Sequence, residues 1–250
     1  ISATAAEFGP LFAMDTGTRD KDHSTPASQV AMLKELGYAG IGWTAFNELD
    51  PLLHALDTAQ LRLNTIYLET RIGPDGFEYG RDAFREGMAK LKGRDVILWV
   101  MINSDKFAKS DEAGDTVALA MLKEMADMAA PAGARIALYP HTNCWMERVE
   151  DCVRLADKAG RKDVGVTFNL CHWLRVCGPT DLDRRLALAA PHLMCVTVNG
   201  ADKEGDWDRL IRPLDEGEYD TGLLLAALRR INYAGPVGLQ GYGIKGDRKE

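Results

Sequence analysis

Val164-Gly165-Val166-Thr167-Phe168-Asn169-Leu170-Cys171-His172-Trp173 opens as a β-rich run, Val164–Asn169, and turns polar at its end, where Asn169 and His172 stand three residues apart. Short runs of the same kind recur on either side: Leu11–Asp15, Gly40–Trp43, Leu63–Leu68, Val96–Ile102, Arg135–Tyr139, Leu193–Val198 and Val237–Gln240. The stretches between them carry apolar residues at helical spacing, for example Val30, Leu33, Leu36 and later Leu224, Leu228, Ile231. Strand and helix in alternation predict βα units and a parallel sheet. Eight such strands in 250 residues predict one α/β domain over 1–250, a (β/α)8 barrel, because barrels of this kind commonly occupy about 250 residues as one unit.

The punctuation between the runs agrees. Ser24-Thr25-Pro26 and Asp50-Pro51 read as helix starts, with a capping side chain followed by proline at the first helical position. Leu36-Gly37-Tyr38-Ala39-Gly40 reads as a helix end leading into a strand, and Ile231-Asn232-Tyr233-Ala234-Gly235 echoes it near the other end of the chain. After Gln240 the segment 241–250 is polar and glycine-rich, so the helix that would close the barrel is expected to be missing or truncated.

Composition narrows the partners. The formal charge is −7 and no Lys/Arg-rich block occurs, which argues against nucleic acid, whose binding depends on clustered cations. No apolar run approaches the roughly 20 residues of a membrane span, so a soluble protein is expected, cytoplasmic or exported after removal of a signal. Ile1–Ala6 is small and polar, compatible with the remnant of an export signal or the edge of a longer sequence. Five cysteines (Cys144, Cys152, Cys171, Cys177, Cys195) form no CxxC pair and are expected as small buried hydrophobes rather than metal ligands. Nothing in the sequence speaks to an oligomeric state.

In a parallel barrel the active site lies at the C-terminal ends of the strands. The polar residues there are Asp15, Glu48, Tyr67, Glu69, Trp99, Asn103, Tyr139, His141, Asn169, His172, Thr197, Asn199, Gln240 and Tyr242. Residues two apart on a strand share a face, so Tyr139 with His141, and Thr197 with Asn199, are predicted to point together into the mouth.

These residues carry a family resemblance. Ile136–Asn143, Val164–Trp173, Val196–Asp202, Asp206–Leu214 and Tyr233–Gly243 resemble, in order and spacing, the xylose-isomerase-like TIM-barrel family of sugar phosphate isomerases and epimerases; Leu33–Gly42 extends the likeness into the N-terminal half. The resemblance implies a carbohydrate as small-molecule partner and one divalent cation, Mn or Mg, held by two carboxylates, a histidine and a glutamate on four consecutive strands. The matching positions here are Tyr139, Asn169, Thr197 and Gln240. None is acidic or histidine, and hard cations depend on anionic oxygen ligands, so no metal and no other cofactor is expected. The glutamates that move protons in those relatives are likewise replaced by Tyr139 and Gln240, which cannot act as carboxylate bases.

His172 matches a histidine that contacts substrate in epimerase relatives, although a lone histidine near an apolar segment is commonly structural. His141 has a side chain suited to general base chemistry near neutral pH, with capping of its own loop as the plainer role. Glu69 and Asp15 are the carboxylates left near strand ends, and exposed loop acids are often bland. His141, His172 and Glu69 are the candidate catalytic residues; Tyr139, Asn169, Trp173, Thr197, Asn199, Gln240 and Tyr242 are the candidate substrate contacts. Trp43, Trp99, Trp145, Trp173 and Trp207 offer faces for sugar stacking, with core packing as the default for most. Asp202 and Lys203 are placed to reach substrate, while Asp206, Asp208, Arg209 and Arg212 read as a solvated patch with Asp208/Arg212 pairing.

Three functions compete. The first is an isomerase, epimerase or sugar dehydratase (lyase) that acts on a sugar or keto-sugar without the family's metal. The second is a carbohydrate-binding pseudoenzyme or non-catalytic subunit. An endonuclease on the same fold is the third and weakest, since its acidic metal ligands and a basic surface are both lacking.

Overall fold

The computed structural model describes residues 8–249; Ile1–Ala6 lies outside them. Eight parallel strands close on themselves: β1 (Leu11–Met14), β2 (Gly40–Thr44), β3 (Arg62–Gly73), β4 (Ile97–Asn103), β5 (Arg135–Leu138), β6 (Val164–Asn169), β7 (Leu193–Val198) and β8 (Val237–Leu239). Each pairs with the next, and β1 closes the ring by pairing with both β2, in register Phe12↔Gly40, and β8, in register Leu11↔Val237. This is the predicted (β/α)8 TIM barrel. The helices are α1 (Pro26–Glu35), α2 (Leu49–Ala59), α3 (Arg81–Lys90), α4 (Asp115–Ala129), α5 (Val149–Ala159), α6 (Leu170–Cys177), α7 (Leu182–Ala189), α8 (Trp207–Leu210) and α9 (Thr221–Arg230).

Local chemistry explains where these elements begin and end. Thr25 caps α1 by accepting the Ser28 N–H while Ser28 answers with its hydroxyl, and Pro26 fills the first helical position as predicted. The repeated helix-to-strand junction is the same structure twice. Gly37 (φ +80°) and Asn232 (φ +54°) both take the left-handed conformation, and the next residue in each case, Tyr38 or Tyr233, donates its N–H back to Leu33 or Leu228 at 3.0 Å. That is a Schellman-type stop. The second predicted cap differs: α2 starts at Leu49, so Asp50 lies inside its first turn, where its charge faces the positive helix end.

The largest departure is at β3, which continues to Gly73 instead of stopping at Leu68. Its added length pairs antiparallel with a short strand, Gly76–Glu78, through Arg71↔Glu78 and Ile72↔Phe77. Gly73-Pro74-Asp75-Gly76 is a turn sequence, with proline and Asp-Gly at positions that suit a reversal, and was the available signal.

The lumen is filled rather than open. Phe12 and Met14 of β1 meet Trp99 and Met101 of β4, Tyr139 and Cys195. Small residues opposite make room: a Cβ on Gly238 would come 2.5 Å from the Phe12 ring. A second, larger core joins the outer strand faces to helical residues such as Val30, Leu33, Leu224 and Leu228, each fully buried leucine or valine contributing about 1.5–3 kcal/mol. Among the described residues no helix follows β8. The segment after it runs across the β1 end of the mouth instead, where Gly241 meets Gly17 and the Arg248 N–H donates to Asp20. No helix among the described residues is long and apolar enough to cross a membrane.

Candidate active site

The C-terminal ends of the strands enclose a cavity of about 360 Å³. Seven of the strand-end residues read from sequence line it, Tyr67, Glu69, Tyr139, His141, His172, Gln240 and Tyr242, six of them named there as candidate catalytic or substrate-contacting residues. Trp207, one of the tryptophans offered for sugar stacking, joins them; Met14, Thr16, Thr44 and Ile211, which the sequence did not single out, complete the lining. Glu69 is the one ionisable acid in this lining, and no lysine or arginine belongs to it.

His141 and His172 lie with ring centroids 4.2 Å apart. Thr142, between β5 and α5, holds both. Its backbone N–H donates to His172 Nδ1 (3.2 Å), so that nitrogen carries a lone pair and the proton sits on Nε2. Its carbonyl accepts from His141 Nδ1 (2.9 Å), which leaves the His141 lone pair on Nε2. One peptide residue thus imposes opposite tautomers on two neighbouring imidazoles. Burial pushes the His141 pKa below 6.5, opposed by the Thr142 carbonyl and by the charge of Glu69. Burial, with the neighbouring His141 ring, holds His172 well below 6.5. Both are therefore neutral at pH 7, one presenting an acceptor and the other a donor.

Tyr139 lies beneath them, edge-on to His172 at 5.7 Å and packed against Tyr67 at 5.2 Å and Trp99 at 5.0 Å. Burial drives its phenol pKa well above 10, so it stays protonated, and the amide of Gln240 counters part of that rise. Asn169 caps α6, its Oδ1 accepting from the His172 N–H and the Cys171 thiol, and this turns its amide nitrogen to donate to the Tyr139 hydroxyl. Gln240 Oε1 is likewise engaged, accepting from Thr16 Oγ1 and the Tyr242 N–H at 3.1 Å each. The oxygens of both amides are spoken for, and Asn169 presents N–H where a carboxylate would present oxygen. Such a donor set does not fit a hard divalent cation.

The remaining predicted residues lie apart from the cavity. Thr197 on β7 is fully buried and pairs in register with Asn169; its hydroxyl has no partner among the described residues. Asn199 donates to the carbonyls of Gly200 and Leu210 at 2.7 Å each, pinning the loop after β7. Trp173 packs outward against Phe168 and Tyr219. Asp15 accepts from the Thr44 N–H and hydroxyl, and burial raises its pKa against those bonds. Asp202 is buried and paired with Arg209 (2.8 Å) and Arg212 (3.1 Å), so these charges fold a loop together instead of forming a solvated Asp208/Arg212 pair. All five cysteines are free, four of them buried. Burial, first of all, lifts the Cys144 thiol to about 11, which leaves it unreactive beside His141.

Outside the cavity, Asp20, His23 and Asp247 bring potential ligand atoms within 4.8 Å of one another, the only such group among the described residues. Separation along the chain hid it from sequence reasoning. The Asp20 carboxylate already accepts from the N–H groups of Asp22, His23 and Arg248 and from the His23 ring, so this group ties the C-terminal segment to the loop after β1.

The sequence matches the xylose isomerase-like TIM barrel family over residues 30–248. No curated protein matches it significantly. Solved structures share the fold at low identity. The IolI protein with a bound zinc atom superposes with a TM-score of 0.74 at 17% identity, covering 93% of this chain and 89% of its own. D-allulose 3-epimerase from Methylomonas sp., in complex with D-allulose, gives 0.74 at 15% identity over 94% and 84%. The 3-keto-D-glucoside 4-epimerase YcjR from E. coli gives 0.72 at 16% identity over 96% and 94%.

Proposed function

The chain belongs to the xylose isomerase-like TIM barrel family, and we propose that it is a carbohydrate-directed enzyme moving a proton at the carbon beside a carbonyl of a sugar or keto-sugar, without a divalent cation. The observation that carries this reading is the His141/His172 pair with its opposed tautomers. A lone pair on His141 Nε2 suits removal of the carbon-bound proton, and the bonding electrons pass into the carbonyl to give an enolate. His172 Nε2–H suits donation to the enolate oxygen, as does the protonated hydroxyl of Tyr139. Delivery of a proton from solvent to the opposite face of the carbon gives an epimer; transfer of the His141 proton to the former carbonyl carbon, as the hydroxyl on the first carbon gives up its own proton to become the new carbonyl, gives an isomer; and transfer of the His141 proton to a departing β-hydroxyl gives water and a dehydrated product.

The ligand class follows from the lining. With no cation to meet a phosphate, the cavity suits an uncharged sugar, and Trp207, Tyr67 and Tyr242 supply faces for its C–H surfaces. Sugar epimerases among the structural neighbours support this class. Metal-free action is supported by the direction of the Asn169 amide and by the engagement of Gln240 Oε1.

The test is deuterium exchange from D2O into a panel of keto-sugars, with EDTA and with Mn²⁺. Equal exchange in both is expected. Exchange only with Mn²⁺ would remove the metal-free part, and no exchange in either would remove the enzyme. Recognition without turnover is the second reading, favoured by the neutral amides at Asn169 and Gln240; calorimetric sugar binding without exchange would establish it.

A further inference from the structure

The mouth cavity does not end at its own wall. Thr44, Tyr67 and Glu69 also line a second cavity of about 410 Å³, which extends from the mouth between the β2–α2 loop and α3. Its floor is aromatic. Phe46 and Tyr79 each meet Phe84 edge-on, with ring centroids 6.0 and 5.6 Å apart. Asn47, Glu86 and Lys90 give it a polar rim.

Two features of the backbone keep this groove open to a ligand. Gly87 lies directly under Phe46, where a Cβ would come 2.4 Å from the ring, so the absence of a side chain there lets Phe46 lie down against α3. The loop that carries Phe46 is bracketed by two non-glycine residues in the left-handed region, Ala45 (φ +57°) and Glu48 (φ +52°). Residues in that conformation persist only where their surroundings hold them, and they gather at ligand sites.

Size and chemistry then suggest the occupant. The mouth lies at the small end of the range for small-molecule sites, about 300–1,000 Å³, and is furnished with imidazoles and amides for one polar ring. The adjoining groove has comparable volume, an apolar floor and a hydrogen-bonding rim. We propose that the groove is a second subsite, and that the substrate is a glycoside with a ketone in its sugar ring, the sugar occupying the mouth while the ring attached through its glycosidic oxygen lies on Phe46 and Tyr79; simple glycosides, which lack the ketone, then bind without turnover. This rests on the sugar-site reading above and specifies its substrate.

Calorimetry on the whole protein tests it, using methyl and phenyl glycosides of glucose, galactose, mannose and xylose, with cellobiose as a second-sugar probe. The groove-filling variant Ala83→Trp is the companion, since Ala83 is an exposed residue of α3 lining the groove and its replacement leaves core contacts intact. For a sugar that binds, the phenyl glycoside or the disaccharide is expected to bind about tenfold more tightly than the methyl glycoside. Ala83→Trp is expected to abolish that gain and leave methyl glycoside affinity unchanged. A gain with cellobiose alone identifies the occupant as a sugar ring, a gain with the phenyl glycoside as an aromatic one. Equal affinity for methyl, phenyl and second-sugar forms, or equal loss of all of them in Ala83→Trp, overturns the subsite while leaving the mouth as a sugar site. No binding of any glycoside overturns both.

Discussion

His141 and His172 face each other with complementary hydrogen-bonding edges because the two ends of one residue, the N–H and the C=O of Thr142, bond to them in opposite senses. The Thr142 hydroxyl also lies 3.1 Å from His172 Nδ1, but the backbone N–H, which can only donate, is enough to keep the lone pair there, so the side chain is secondary. His141→Gln is therefore expected to lower kcat on an exchanging keto-sugar by about a hundredfold or more with little change in KM. Thr142→Ala is expected to keep most of the activity. Measuring kcat and KM for both variants decides this, and comparable losses would mean that the backbone bonds do not set the pair.

The same burial makes stability depend on pH in a defined direction. In the unfolded chain a histidine binds its proton below about 6.5, whereas burial lowers the folded pKa of His141 and holds that of His172 well below 6.5. Between those values the unfolded state binds more protons than the folded one, so stability falls as pH drops from about 6.5 toward the lowered folded values. Above 6.5 both states are neutral and the contribution is flat. Urea midpoints at pH 7.5 and 5.0 should show a smaller acid-side loss in His172→Gln than in the wild type. An identical loss in both would place the acid sensitivity elsewhere.

Tyr139→Phe tests the interior bond to Asn169. Removing the hydroxyl leaves the buried Asn169 amide donor without its acceptor, and a cost of about 1–3 kcal/mol is expected in equilibrium unfolding. A neutral outcome would mean that Asn169 finds another acceptor. Millimolar Mn²⁺ should leave the Tm of the wild type unchanged, because a ligand stabilises only where the folded state binds it.

Strand positions were legible because the barrel imposes a regular alternation of short β-rich runs and helices, so Val164–Asn169 and Leu193–Val198 are found where the sequence puts them. Side chains pointing inward from strand ends were legible for the same reason, as with Tyr139 and Gln240. The period-2 rule fails once the chain leaves the strand. Asn199 stands two residues beyond Thr197, yet the loop has already turned and the amide bonds to backbone carbonyls instead of the mouth. Thr16 enters the cavity from a single 3-10 turn after β1 and Ile211 from the end of α8, and the Phe46 groove depends on a helix passing over it at Gly87; no local spacing encodes such meetings.

Trp207 is the clearest case of a residue placed by distant charges. It stands edge-on to His172 at 5.2 Å because the loop after β7 folds back on itself, with Asp202 pairing to Arg209 and Arg212 and accepting the Glu218 N–H. If Trp207 is a sugar platform, Trp207→Ala should raise KM about tenfold with kcat little changed. Asp202→Asn should raise KM through the same loop, though Asp202 does not line the cavity. The double variant is then expected to be no worse than Trp207→Ala alone, since both remove one contact. Additive losses in that cycle would separate the two residues and leave the Asp202 cluster with a purely structural role.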